Sequence, residues 1–225
     1  HPGHVPISFV LEIKQELAVL GPEPQRDIDG EALDQIDAEI FSVFPEQALI
    51  TPDMVRGDAD TLAQAVRTRG WPPLAEARSK VFFMLHEGGV LRDLYAKDRP
   101  SLEGRAMFVR STPGRADAAT LVVDHPHPPT IQQLVRQGFL VRTRADAGLR
   151  PTPARRDQAW ATGAQIVSTD FPPGQPHAET GYVVELPHGA AARCNPVNTA
   201  EASHAPIPAA LENGSGDGGA QEWSQ

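Results

Sequence analysis

Parallel strands in an α/β fold are what this sequence predicts, and three features point that way. Short β-rich apolar segments recur along the 225 residues, segments with helical spacing separate them, and the composition, 40% hydrophobic and 22% charged, is that of a globular chain. Strand, helix, strand in repetition is the sequence form of parallel β/α units. The length allows one large domain or two small ones.

Residues 7–13, ISFVLEI, are β-rich and follow Pro6; alternation sets Glu12 and Lys14 on one face at the carboxyl end of this strand, with Ile13 on the other. A Pro-rich loop from Gly21 to Pro24 leads to Leu33, Ile36, Ile40 and Phe44, whose spacing predicts an amphipathic helix with Asp29 as its cap and Pro45 at its end. A second helix is predicted from Thr61 to Arg69, capped by Asp60 and stopped by Gly70. KVFFML (80–85) reads as a buried strand, AMFVR (106–110) as the next and TLVVD (120–124) as a shorter one. TIQQLVRQ (130–137) predicts a helix closed by Gly138, and FLVRTRAD (139–146) a strand. A helix from Pro153 to Thr162, closed by Gly163, precedes AQIVSTDF (164–171), the last strand of the series. GYVVELP (181–187) predicts one further strand, and the Ala-, Gly-, Ser- and Pro-rich residues 199–225 predict disorder. Gly214, Gly216 and Gly219 match a phosphate-loop spacing formally, but no strand precedes them and no helix follows.

Right-handed parallel crossovers of short strands allow a doubly wound sheet or a (β/α)8 barrel. A whole barrel takes roughly 250 residues, so a strand series finished by residue 171 would make an incomplete one, with about three units expected upstream. The start agrees: HPGHVPISFVLEIK has neither an initiator methionine nor a signal sequence and runs straight into a strand. The open side of such a wall is expected to expose apolar surface around Phe9, Leu11, Phe139 and Val141 or their neighbours.

No apolar run approaches the roughly 18 residues of a membrane-spanning helix, so a transmembrane segment is excluded. Cys194 is the one cysteine, which rules out an internal disulfide and a four-cysteine metal site within the chain. Charge is uneven: residues 12–60 carry net −10, residues 61–170 net +6 and residues 171–225 net −5. A chain negative overall has no broad attraction for nucleic acid, yet its basic middle can take an anionic group such as a phosphate.

In parallel β/α proteins function collects at the carboxyl ends of the strands. The first such end offers Glu12, a carboxylate for a hard cation, and Lys14, an ammonium for a phosphate oxygen; the alternative is an ion pair with the neighbouring strand. The second offers His86 and Glu87 before Gly88 and Gly89, a catalytic or a merely solvated loop histidine. The third sets Arg142, Arg144 and Asp146 on one face. An unpaired buried guanidinium costs several kcal/mol, so the arginines pair with acids such as Asp146, Asp170 and Glu12, or they clamp a phosphate. The fourth brings Ser168 and Asp170 to the same rim.

HPGHVPISFVLEIK, QLVRQGFLVRTRADA, ARRDQAWATGAQIVSTDFP and YVVELPHGAAARCNPV together resemble the later half of the bacterial calcium-dependent phosphatidylinositol-specific phospholipase C family, the Streptomyces-type enzymes of the glycerophosphodiesterase-like barrel superfamily. VRTRAD with GAQIVSTDF is the specific part, and the likeness runs over about residues 1–198. It implies the later strands of an incomplete (β/α)8 TIM-type barrel, residues 1–198, followed by the tail 199–225. It implies a calcium-dependent hydrolase that splits phosphatidylinositol into diacylglycerol and an inositol phosphate at a membrane surface, secreted or in the cell envelope. Glu12 is then a Ca2+ ligand, the VRTRAD and STDF strand ends are walls of the active site, and Lys14, Arg142, Arg144 and Asp170 are the substrate- or phosphate-binding set. The family's two catalytic histidines, and the acids that complete its calcium site, belong to strands before residue 1, so this chain alone is expected to be inactive; His1 and His4 match neither. The family follows RCNPV with another cysteine where Ser203 and His204 stand here, which leaves Cys194 without that partner. A glycerophosphodiester hydrolase and a catalytically silent anion-binding module are the alternatives.

Overall fold

The computed structural model describes residues 3–13, 28–147, 151–186, 189–190 and 192–198. Its strands are β1 (Ile7–Leu11), β2 (Leu49–Ile50), β3 (Val81–Leu85), β4 (Met107–Ser111), β5 (Thr120–Val122), β6 (Leu140–Arg144) and β7 (Ile166–Ser168). Between them lie α1 (Gly30–Val43), α2 (Pro52–Arg56), α3 (Leu62–Thr68), α4 (Leu74–Ala77), α5 (Gly89–Tyr95), α6 (Pro128–Arg136) and α7 (Pro153–Ala161). The strands form one all-parallel sheet in the order β1-β3-β4-β5-β6-β7, with β2 beside the first two residues of β3. Helices lie in every crossover but that from β4 to β5, where residues 112–119 form turns alone. The sheet curves into part of a TIM-type barrel wall, one of the two architectures that the strand and helix order allows.

Most elements fall where local chemistry sets them. The Asp29 carboxylate accepts the amide of Ala32 at 2.9 Å and opens α1, whose Leu33 and Ile40 are buried. Thr61, not Asp60, caps α3: its hydroxyl accepts the Gln64 amide at 3.1 Å, and the Gln64 side chain returns to the Asp60 amide. Gly138 closes α6 at φ +92°, and a Cβ there would stand 1.9 Å from the Val66 carbonyl oxygen. Only glycine permits that conformation and that approach of α6 to α3. The Trp71 indole NH donates to the Gly138 carbonyl at 3.0 Å and pins the same junction.

The helix side of the sheet also buries a polar network. Arg105 is 5% exposed; it pairs with Asp34 and with Asp37 at 3.1 Å, and it donates to the Tyr95 carbonyl at 2.8 Å. Its guanidinium lies 4.3 Å from the centroid of the Tyr95 ring, whose hydroxyl donates to Asp37 and accepts the Met107 amide at 3.0 Å. Burial pushes the Asp37 carboxyl up, against the downward pull of Tyr95 and Arg105. Every member has a partner, the condition for such a network to hold α1 and α5 against β4.

Two further expectations are corrected. GYVVELP forms no strand: Val184 donates one amide to the Phe171 carbonyl, while Tyr182 and Val184 pack with Ala145 and Ala159 in a small second cluster. Its apolar residues serve as a plug over the end of the sheet instead of as a ladder. Exposure at the open side falls on β1 alone. Phe9 is 41% exposed and Leu11 is half-buried, whereas Phe139 and Val141 are buried at 2% and 0%, because β6 has strands on both sides and β1 on one. The helix α5, which opens at Gly89, has no counterpart among the elements predicted above. Residues 199–225, with the disorder expected there, lie outside the described residues. No helix among the described residues is long and apolar enough to cross a membrane.

Candidate functional site

The faces of the strands decide which side chains meet. Ser8, Phe82, Leu140 and Ile166 line one cavity of about 480 Å3 inside the curve of the sheet. Phe83 points the other way, stacking on Phe9 at 5.1 Å and meeting Phe44 after α1. Side chains alternate along a strand, so this inner face continues to Glu12 after β1, His86 after β3, Arg142 and Arg144 on β6, and Asp170 after β7. Phe108 packs on Phe82 at 4.8 Å and brings Arg110 of β4 to the inner face. Arg110 is level with Thr120, which adds Val122 and then Asp124 from β5.

The register sharpens this into a row. Leu11 is level with Leu85, and Leu85 with Val109, so the next residues, Glu12, His86 and Arg110, stand side by side across three adjacent strands. Burial pushes the His86 imidazole below its usual range; Arg142 and Arg110 push it further, against smaller upward pulls from Glu12 and Asp124. Its Nε2 is buried with no hydrogen-bond partner. Glu87 accepts the Ile13 amide through Oε1, while its Oε2 is buried and unpartnered. Burial raises the Glu87 carboxyl, the Ile13 amide lowers it, and Glu12 adds to the rise.

Of the residues singled out from the sequence, Glu12, Arg142, Arg144 and Asp170 come to this one rim, and Lys14 lies outside the described residues. Arg142 is paired with Asp124, and Arg144 with Asp170 at 3.4 Å. Burial pulls the Arg142 guanidinium below its usual value; Asp124 raises it, and Arg144 and Arg110 act downward. Asp146 does not face the arginines. It is wholly buried, accepting the Thr169 hydroxyl at 2.5 Å and the Asp170 amide at 2.9 Å, because β6 ends at Arg144 and the alternation ends with it. It holds the turn that presents Asp170. His86 is half-buried in the rim, not a solvated loop residue. Arg110 and Asp124 were missed, although the period-two alternation that exposed VRTRAD, carried through AMFVR and TLVVD, points to both.

Fold and rim together define a β/α barrel wall whose carboxyl end is lined with guanidinium, imidazole and carboxylate groups. The family model of phosphoinositide phospholipase C, Ca2+-dependent, matches residues 1–196, and the chain belongs to that family. Among solved structures it is similar to a Ca2+-dependent phosphatidylinositol-specific phospholipase C from Streptomyces antibioticus, at 21% identity and TM-score 0.57, over 76% of this chain and 65% of that one. It is also similar to a calcium-dependent phosphoinositol-specific phospholipase C from a Gram-negative Pseudomonas sp., in an apo form and myoinositol complex, at 16% identity and TM-score 0.52, over 75% of this chain and 61% of that one. At these identities the likeness is one of fold, and the chain spans under two thirds of the length of each. No curated protein matches it.

The family implies calcium, which takes about six to eight oxygen ligands. Among the described residues no three His, Cys, Asp or Glu side chains form a group that could hold a metal ion. Glu12 and Glu87 are oxygen donors of the right kind and are too few, so the described residues fall short of a complete calcium site.

Proposed function

We propose that this chain forms part of the active site of a calcium-dependent phospholipase that splits phosphatidylinositol into diacylglycerol and an inositol phosphate. The observation that carries the reading is the meeting of Glu12, Arg142, Arg144 and Asp170 at one carboxyl rim in a chain of this family. Displacement at a phosphodiester needs a base for the attacking hydroxyl, an acid for the leaving oxygen, and positive charge where the phosphoryl oxygens gain negative charge. Arg142 and Arg144 supply the positive charge, and Lys14 adds to it. Asp124 and Asp170 hold the two guanidiniums in place, and Glu12 is one ligand of a calcium site completed by other groups. Calcium, when bound, supplies Lewis-acid charge to phosphate oxygens. Residues 1–198 are the barrel portion, 199–225 a tail, and the working place is an anionic phospholipid surface outside the cell or in its envelope.

Proton transfer contributes about 100 to 10,000-fold, and the rim assigns this chain charge and not a proton-transfer pair. The 225 residues alone should therefore sediment with phosphatidylinositol vesicles in preference to phosphatidylcholine vesicles, and release no diacylglycerol at any calcium concentration. Equal sedimentation with both lipids would overturn the substrate. Turnover that disappears on His86→Ala would overturn the division of labour.

A further inference from the structure

We propose that Arg110 and His86 form the phosphate seat of this rim, with Arg142 and Arg144 flanking the bound anion instead of gripping it. The inference rests on the phosphodiesterase reading for its setting, and on two unsatisfied side chains for its content.

The cations of the rim are not equivalent. Arg142 is held by Asp124, Arg144 by Asp170, and Arg155 donates to the Asp124 carbonyl at 2.8 Å. Arg110, half-buried on the inner face of β4, makes no hydrogen bond or ion pair among the described residues. Its stem lies against the turn that follows β3: a Cβ at Gly88 would stand 3.8 Å from its Cδ. That turn also carries His86, the neighbour of Arg110 in the row set by Leu85 and Val109. The buried Nε2 of His86 has no partner, and buried polar groups are as a rule paired. A partly desolvated guanidinium with no hydrogen-bond partner, its charge met only through space by Glu87, beside an imidazole nitrogen without a partner is an arrangement completed by an oxyanion. The guanidinium offers two parallel N–H groups to a phosphate, and His86, in the tautomer with hydrogen on Nε2, donates a third bond. The ligand class is a phosphate ester, whether free or at the head of a lipid.

The probe is myo-inositol 1-phosphate, titrated calorimetrically into the whole 225-residue chain. Arg110→Met should weaken binding roughly tenfold or more, the worth of a charge-assisted hydrogen bond, with Arg110→Lys recovering part of it and Arg144→Met costing less. The His86 ring proton resonances of the unaltered chain should move as the phosphate is added, which keeps the test alive if Arg110→Met does not fold. A still His86 resonance at saturating phosphate, or a loss in Arg144→Met that exceeds that in Arg110→Met, overturns the seat. Vesicles separate this from the functional reading. Preference for phosphatidylinositol that survives Arg110→Met sinks the seat and spares the reading; phosphate binding that needs Arg110, without any lipid preference, does the reverse.

Discussion

Tyr95 and Tyr182 are the only tyrosines in the sequence, so the ionisation of each phenol can be followed in the intact protein. Burial raises Tyr95 well above the usual value and the Asp37 carboxylate adds to it, while burial and then Asp146 push Tyr182 up to about 12. An unfolded phenol ionises near pH 10, so above that pH the unfolded chain binds fewer protons than the folded one. Stability from these two groups is whole below about pH 10 and drains away as pH rises toward the folded values. Phenolate absorbance should stay flat through pH 10 and the urea midpoint should fall beyond it; a phenolate signal centred at pH 10 in the folded protein would contradict this. At this scale the sequence was legible where a strand's alternation held within it, as for Arg142 and Arg144, or ran on past its end, as for Glu12 and Asp170. It failed at Asp146, two residues past the end of β6, where the alternation does not run on. It failed again at His86, whose surroundings, Arg110 and Arg142, arrive from other strands.

The junction of α6 and β6 is the element most dependent on one residue. Gly138→Ala must place a methyl group 1.9 Å from the Val66 carbonyl oxygen at a φ of +92°, so it should cost more than about 1 kcal/mol, and the loss should appear as a lower thermal midpoint by circular dichroism. A midpoint equal to that of the unaltered protein would mean that α3 and α6 can separate freely there. Helices with a polar cap and spaced leucines, such as α1, were readable because both signals are local. The two-residue β2 was not, since only its pairing with Val81 and Phe82 makes it a strand. Paired glycines hid α5 by the reverse effect: Gly89, at φ +59°, is a loop signal that the chain uses to enter a helix. The segment GYVVELP has the composition of a strand, but an aromatic and a valine also suit a plug, and tertiary contact made that choice.

For the molecule as a whole, the alternation of strand and helix carried the fold class, and the all-parallel order β1-β3-β4-β5-β6-β7 follows it without a reversal. Pattern alone could not say which apolar strand lacks a cover, because ISFVL and FLV look alike until neighbours are assigned. Strand β1 has one sheet partner among the described residues, and Ile7 and Phe9 along it are 45% and 41% exposed. Seen from solution, that row of amides and carbonyls is a growing point onto which a second molecule can add. Turbidity of the 225-residue chain should therefore rise more steeply than in proportion to concentration, and Ile7→Lys should delay its onset while moving the unfolding midpoint little. If the onset is the same with the charge in place, the molecules adhere through another face. The strand that lends its carboxyl end to the chemistry would thus also set the shelf life of the purified protein.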